Sequence, residues 1–114
     1  MKKKKLPFPK EKEVIKAVLE WLGWHHIFAW RQNSGRFFFK VGSKTRMFNT
    51  GIKGQADITG ILEDGKRLEI ECKRRGEGPT PDQKAFLNKM KENGGVAFVA
   101  YEIEDLEKQL KDYI

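Results

Sequence analysis

The chain has 114 residues, the size of one domain with a single core. Its 23 Lys and Arg against 16 Asp and Glu leave a net charge of +7, which suits a polyanionic partner, nucleic acid first and an acidic membrane surface second; the plain alternative is a solvated basic surface with no ligand. One cysteine, Cys72, excludes an internal disulfide and fits a reducing cytoplasm, and no apolar run approaches the roughly 18 residues of a membrane span.

Met1 to Lys10 reads as a basic, proline-broken, flexible arm ahead of a single domain from Glu11 to Ile114. From Glu11 to Leu22, Val14, Ile15, Val18 and Leu22 recur at helical spacing and predict an amphipathic helix. Glu13 and Glu20 fall on its solvent side, whereas Glu11 falls on the apolar stripe. A carboxylate there needs a reason. Complementing the helix dipole in the first turn is one, and a functional role is the other.

His25 and His26, the only histidines, sit at a helix-to-strand junction and with one cysteine make no zinc site. Ile27 to Arg31 predicts a strand closed by the turn cluster Gln32-Asn33-Ser34-Gly35. Arg36 to Val41 and Thr45 to Asn49, around Gly42-Ser43-Lys44, predict a hairpin in which Phe37, Phe38, Phe39 and Phe48 mix with Lys40, Lys44 and Arg46. Cations interleaved with rings suit a nucleic-acid groove. Core phenylalanines with charges guarding an edge strand, or an exposed subunit interface, are the competing readings. Thr50 to Gly54 is a glycine-flanked loop whose backbone can approach a ligand closely.

The organising stretch is Gly54 to Lys73. Ala56, Ile58, Gly60 and Leu62 alternate with Asp57, Thr59, Ile61 and Glu63, and Leu68, Ile70 and Cys72 with Arg67, Glu69, Glu71 and Lys73, the period of strands. A two-residue Asp64-Gly65 turn would set Ile58 against Glu71. A three-residue loop Glu63-Asp64-Gly65, with Gly65 in the left-handed position, instead pairs Ile58 with Ile70 and Ala56 with Cys72. That register places Asp57 opposite Glu71 on one face, with Lys73 beside them. Facing carboxylates repel unless a proton or cation lies between them, and a divalent metal is the economical explanation.

Arg74-Arg75-Gly76-Glu77-Gly78-Pro79 is a basic loop, after which Thr80-Pro81-Asp82-Gln83 opens a helix with Thr80 as N-cap and Pro81 at the first position. Gln83 either completes a capping box or points inward to the hairpin with Phe86, Leu87 and Met90, and the two roles are compatible. Gly94-Gly95 ends the helix. The apolar run Val96 to Tyr101 predicts a strand covered on both faces and parallel to the Glu71 strand. A short helix from Glu104 to Tyr113, with Leu106 and Leu110 inward, closes the chain.

Asp57, followed by Glu71-Cys72-Lys73, resembles the Asp…Glu-x-Lys signature of the PD-(D/E)XK nuclease superfamily. Together with Glu11, Trp30 to Gly35, Gly54, Pro81-Asp82-Gln83, Leu87 and Gly94, it resembles the VRR-NUC branch in its stand-alone form, from about Glu11 to Tyr101. The resemblance implies an α/β, restriction-endonuclease-like αβββαβ core, a mixed central sheet flanked by helices. It also implies Mg²⁺- or Mn²⁺-dependent phosphodiester hydrolysis, and relatives among repair nucleases and Holliday-junction resolvases. It further implies that Asp57, Glu71 and the backbone carbonyl of Cys72 hold the metal. Lys73 would orient or activate water and offset transition-state charge, and Glu11 and Gln83 would stand close by. No role follows for Gln55.

The expected function is a DNA endonuclease acting on branched substrates such as four-way junctions, a cytoplasmic homodimer with no membrane attachment. The expected DNA-binding residues are Arg31, Asn33, Ser34, Arg36, Lys40, Lys44, Arg46, Lys53, Arg74 and Arg75. A nucleic-acid-binding module with a non-catalytic metal site, and a hairpin domain binding a protein partner, are the alternatives.

Overall fold

The structure is a computed structural model and describes residues 8–32 and 35–114. Its elements are α1 (Glu11–Trp24), β1 (Phe28–Arg31), β2 (Gly35–Val41), β3 (Lys44–Thr50), β4 (Ile58–Ile61), β5 (Arg67–Cys72), α2 (Pro81–Glu92), β6 (Val96–Ala100), α3 (Ile103–Gln109) and a 3₁₀ turn at Lys111–Tyr113. The domain is α/β. A four-stranded mixed sheet runs β1-β4-β5-β6, antiparallel except for the β5–β6 pair, and β2–β3 forms a separate antiparallel hairpin.

Each helix follows from its own residues. In α1 the stripe Val14, Ile15, Val18 and Leu22 is buried, and the helix runs on to Trp24 before His26 ends it with a left-handed φ of 56°. α2 opens on the expected cap. The Thr80 side chain accepts from the Gln83 N–H, the Gln83 side chain accepts from the Thr80 N–H, and Pro81 leads the first turn. The closing segment is shorter than one continuous helix, because α3 stops at Gln109 and the backbone tightens into the 3₁₀ turn; Leu106 and Leu110 are both fully buried, as expected.

The two covered faces of the sheet have different lids. Leu68, Ile70 and Cys72 of β5 and Phe98 and Ala100 of β6 meet α1 and α3. Ala97 and Val99 meet Phe86 and Leu87 of α2 on the other side. β6 is parallel to β5, as the crossover through α2 requires.

The hairpin register is the one the turn chemistry selects. Ile58 pairs with Ile70, and the loop closes through Gly65 N–H to Leu62 C=O at 2.8 Å, with Gly65 at φ 88°. The expected pairing of Ala56 with Cys72 is corrected: the ladder ends at Ile58, and Ala56 turns away to pack with Phe86 and Leu87. The β2–β3 loop is also shorter than expected. Gly42, at φ 63°, and Ser43 form a two-residue turn, and Lys44 already pairs with Val41. Gly54 lies against α2, where an added Cβ would stand 2.3 Å from the Asp82 carbonyl oxygen.

Candidate metal centre

β5 carries two acidic residues on its α2-facing side, and they live differently. Glu69 is directly opposite Thr59, whose hydroxyl donates to its Oε2 at 2.7 Å, while Arg67 Nε donates to its Oε1 at 2.9 Å. It is a buried carboxylate with both oxygens answered, a structural ion. Sequence inspection passed over it, although the predicted register already set Thr59 against it. Glu71, 1% exposed, accepts from Gln83 Nε2 at 3.3 Å through Oε1, and its buried Oε2 has no donor among the described residues, with the Asp57 carboxylate beside it.

Asp57 reaches the same place by a different route. Its carbonyl accepts the Gln32 N–H at 2.7 Å, tying it to the end of β1, and its Oδ2 accepts the Cys72 N–H at 2.9 Å. The side chain thus takes the ladder position that the expected Ala56 pairing would have filled. The N–H and C=O of one residue in an antiparallel ladder point to the same neighbour, so the Cys72 backbone faces Asp57 and not β6. The Cys72 side chain is buried in the α1/α3 core, and burial pushes its thiol pKa up, keeping it protonated.

α1 supplies the third acid. Glu11, in the first turn, brings a carboxylate oxygen to a cluster in which one oxygen each of Glu11, Asp57 and Glu71 lie within 4.8 Å of one another. Lys73 follows on β5. It is only 9% exposed, its N–H donates to the Ala100 carbonyl at 3.1 Å, and its charge acts on both Glu11 and Glu71.

The electrostatics are those of an incomplete site. Burial, then the adjacent Asp57 carboxylate and Glu11, push Glu71 far above the ordinary carboxylate range against the opposing pull of Lys73. Glu11 is raised too, first by burial and then by Asp57, again against Lys73. Oxygen-only donors at this mutual distance suit a hard divalent cation, which takes oxygen ligands at about 2.0–2.6 Å and relieves the repulsion among them. Asp57 and Glu71 each have one oxygen held by a protein donor, which orients the carboxylate and leaves the other oxygen for a ligand. The residues present therefore fit a hard divalent cation.

The acids, Lys73 and Gln83 converge as expected; the basic residues assigned to DNA are more scattered. Arg31 ends β1 beside Ile58, one residue from Asp57, and is exposed. Arg74 is half-buried just beyond Lys73, while Arg75 pairs with Glu102 and packs over the Phe8 ring. Lys53 is exposed and 3.5 Å from Asp82. Lys40, Lys44 and Arg46 are exposed on the β2–β3 hairpin. Asn33 and Ser34, the side chain of Arg36 and the first seven residues of the basic arm lie outside the described residues. Gln55 closes its own loop, accepting the Ile52 N–H at 3.2 Å. Comparison with known proteins finds no matching family model, no matching curated protein and no matching solved structure.

Proposed function

We propose that the chain is a divalent-metal-dependent nuclease that hydrolyses phosphodiester bonds in DNA. The observation that carries this reading is the buried, unpartnered Oε2 of Glu71 in a cluster with Glu11 and Asp57, with a buried lysine two residues along the strand. A structural acid would be answered as Glu69 is. The resemblance to the PD-(D/E)XK nucleases and their VRR-NUC branch points the same way. With the β2–β3 hairpin set apart, α1, β1, β4, β5, α2 and β6 follow the αβββαβ order which that resemblance implies.

When bound, Mg²⁺ or Mn²⁺ supplies Lewis-acid polarisation of a phosphoryl oxygen and a water of lowered pKa. Asp57, Glu71 and the Cys72 carbonyl hold it in this reading, with Glu11 closing the cluster. Lys73 brings a cation and a donor to the cleavage position, where it orients water and offsets charge developing on the phosphate oxygens. Gln83 fixes the rotamer of Glu71. Arg31, at the end of β1 beside Ile58, and Arg74, two residues beyond β5, receive flanking phosphates in this reading.

Branched DNA as substrate and a homodimer as the acting species belong to the same proposal. A surface suited to self-association is available: α2 covers β5 and β6, leaving Phe28, Trp30 and Ile61 exposed together on the β1–β4 part of that face.

The test is incubation with a four-way junction, a matched linear duplex and single-stranded DNA, in Mg²⁺, Mn²⁺ or EDTA, beside Asp57→Asn and Lys73→Ala. Metal-dependent cutting lost in both variants, with DNA binding retained, is expected. Paired nicks in the junction alone identify a junction-resolving dimer, and equal cutting of all three removes the branched-DNA part. Binding without cutting in either metal replaces the nuclease with a nucleic-acid-binding module.

A further inference from the structure

The β2–β3 hairpin does not belong to the core. Among the described residues no other element packs extensively against it, and Phe37, Phe38, Phe39, Val41, Met47 and Phe48 are 45–66% exposed. A two-stranded ribbon with bare aromatic faces is marginal by itself, so these side chains are unexplained by folding.

The register sorts them. Phe37 is opposite Phe48, Phe39 opposite Arg46 and Val41 opposite Lys44, so three rings and two cations share one face, the rings at its Phe37 end and the cations toward the turn. The Phe48 ring is 5.8 Å from Phe37 and 5.9 Å from Phe39, making a continuous aromatic platform with Arg46 and Lys44 at its side.

Charge decides what the platform fits. Between Glu20 and Asp57 the sequence contains no acidic residue, while the hairpin contributes Arg36, Lys40, Lys44 and Arg46. A second copy of the hairpin would set these cations against their own kind. A nucleic-acid strand presents phosphates to the cations and ring faces to the phenylalanines, but only where bases are unpaired, because a duplex hides base faces in its stack. Position agrees: the chain leaves the sheet for the hairpin at Gln32, whose N–H holds the Asp57 carbonyl, and returns to the sheet through Asp57.

We propose that the β2–β3 hairpin binds unpaired nucleotides of single-stranded DNA, with Phe37, Phe39 and Phe48 stacking on bases and Lys44 and Arg46 meeting phosphates. This rests on the nuclease reading for its biological sense and specifies the substrate as DNA with an unpaired segment beside the cleavage position.

The test is made in EDTA, so it scores the hairpin whether or not the acidic cluster hydrolyses anything. Fluorescence anisotropy of a labelled oligothymidylate and of a blunt duplex of the same length is measured with the full chain, Phe37→Leu/Phe48→Leu and Phe37→Tyr/Phe48→Tyr. Leucine keeps an apolar strand but removes the rings; tyrosine keeps them. The leucine pair is expected to lose about tenfold or more in affinity for the single strand and less than about twofold for the duplex, with the tyrosine pair close to the unsubstituted protein. Equal loss on both DNAs, no loss on the single strand, or no single-strand binding by the unsubstituted protein overturns the proposal. So does sedimentation showing that the leucine pair turns a dimer into a monomer, which reassigns the hairpin to a subunit interface. A thermal unfolding midpoint unchanged by either pair verifies that the core is intact.

Discussion

Glu69 and Glu71 stand two residues apart on the same face of β5, both buried, yet only Glu69 has both oxygens hydrogen-bonded. Thr59 and Arg67 complete Glu69. Glu71 has Gln83 on one oxygen, no donor on the other among the described residues, and an oxygen of each of two further carboxylates within 4.8 Å. The fold answers one acid on both oxygens and its neighbour on one.

The two should therefore answer opposite ways to the same conservative substitution. In EDTA at neutral pH, where burial keeps the Glu71 carboxyl protonated, Glu71→Gln removes the cost of taking up that proton on folding and is expected to stabilise the protein by about 1–3 kcal/mol, while losing cation binding. Glu69→Gln sets an amide against a donor from Thr59 or Arg67 and should destabilise by about 1–3 kcal/mol. Urea unfolding of both variants measures the contrast; destabilisation by Glu71→Gln would mean that its carboxylate has a partner of its own.

Stability without metal should also fall as pH rises. Glu71 and Glu11 hold protons more tightly folded than unfolded, so the folded state binds more protons above the ordinary carboxylate pKa. Their contribution is complete below about pH 4.5 and declines as pH climbs toward the raised values, with a slope up to about 1.4 kcal/mol per pH unit for one proton. Unfolding curves in EDTA at successive pH values measure this decline. Added Mg²⁺ should flatten it, since a bound cation favours the ionised acids, and Glu71→Gln should flatten it as well.

Gln83 has two jobs that can be separated. Its Oε1 accepts the Thr80 N–H at 2.9 Å, completing the capping box, and its Nε2 orients Glu71. Gln83→Ala should lose about 1 kcal/mol of stability and weaken Mg²⁺ binding by about 10–100-fold. Gln83→Glu keeps an acceptor for the cap but puts another carboxylate at Glu71, so helix stability survives while the orienting hydrogen bond does not. Calorimetric titration with Mn²⁺ beside circular dichroism distinguishes the two roles.

Gly54 sets the distance between α2 and the acids. Its φ of 79° disfavours any side chain, and a Cβ would run into the Asp82 and Gln83 backbone. Gly54→Ala is expected to cost about 2–4 kcal/mol by combining left-handed strain with overpacking. Because the clash lies at the start of α2, Mg²⁺ affinity should fall even where the variant still folds; unchanged affinity would show that α2 does not set the site.

Much of this architecture is legible in the residues. The Glu63-Asp64-Gly65 loop and the alternation around it define which strand positions face each other, and Thr80-Pro81-Asp82-Gln83 announces a helix start. Glu11 stands out as an acid on an apolar stripe. These are local signals, carried by turn chemistry and by periods of 2 and 3.6 residues.

What the tertiary structure alone decided is which polar atoms find partners. Asp57 meets the Cys72 N–H across 15 residues and Gln83 meets Glu71 across 12, so neither contact shows in a periodicity. The β4–β5 ladder ends at Ile58, where the Asp57 side chain replaces a backbone acceptor while Gln32, beyond β1, holds the Asp57 carbonyl from the other side. The bareness of β2–β3 is equally nonlocal, since an aromatic strand reads the same whether a helix covers it or not. The sequence by itself determined the elements, the pairing of Ile58 with Ile70 and the acids Glu11, Asp57 and Glu71 as candidates, because those rest on neighbours along the chain. The tertiary structure decided that Glu69 is satisfied and Glu71 is not, because that depends on donors brought in from other strands and helices.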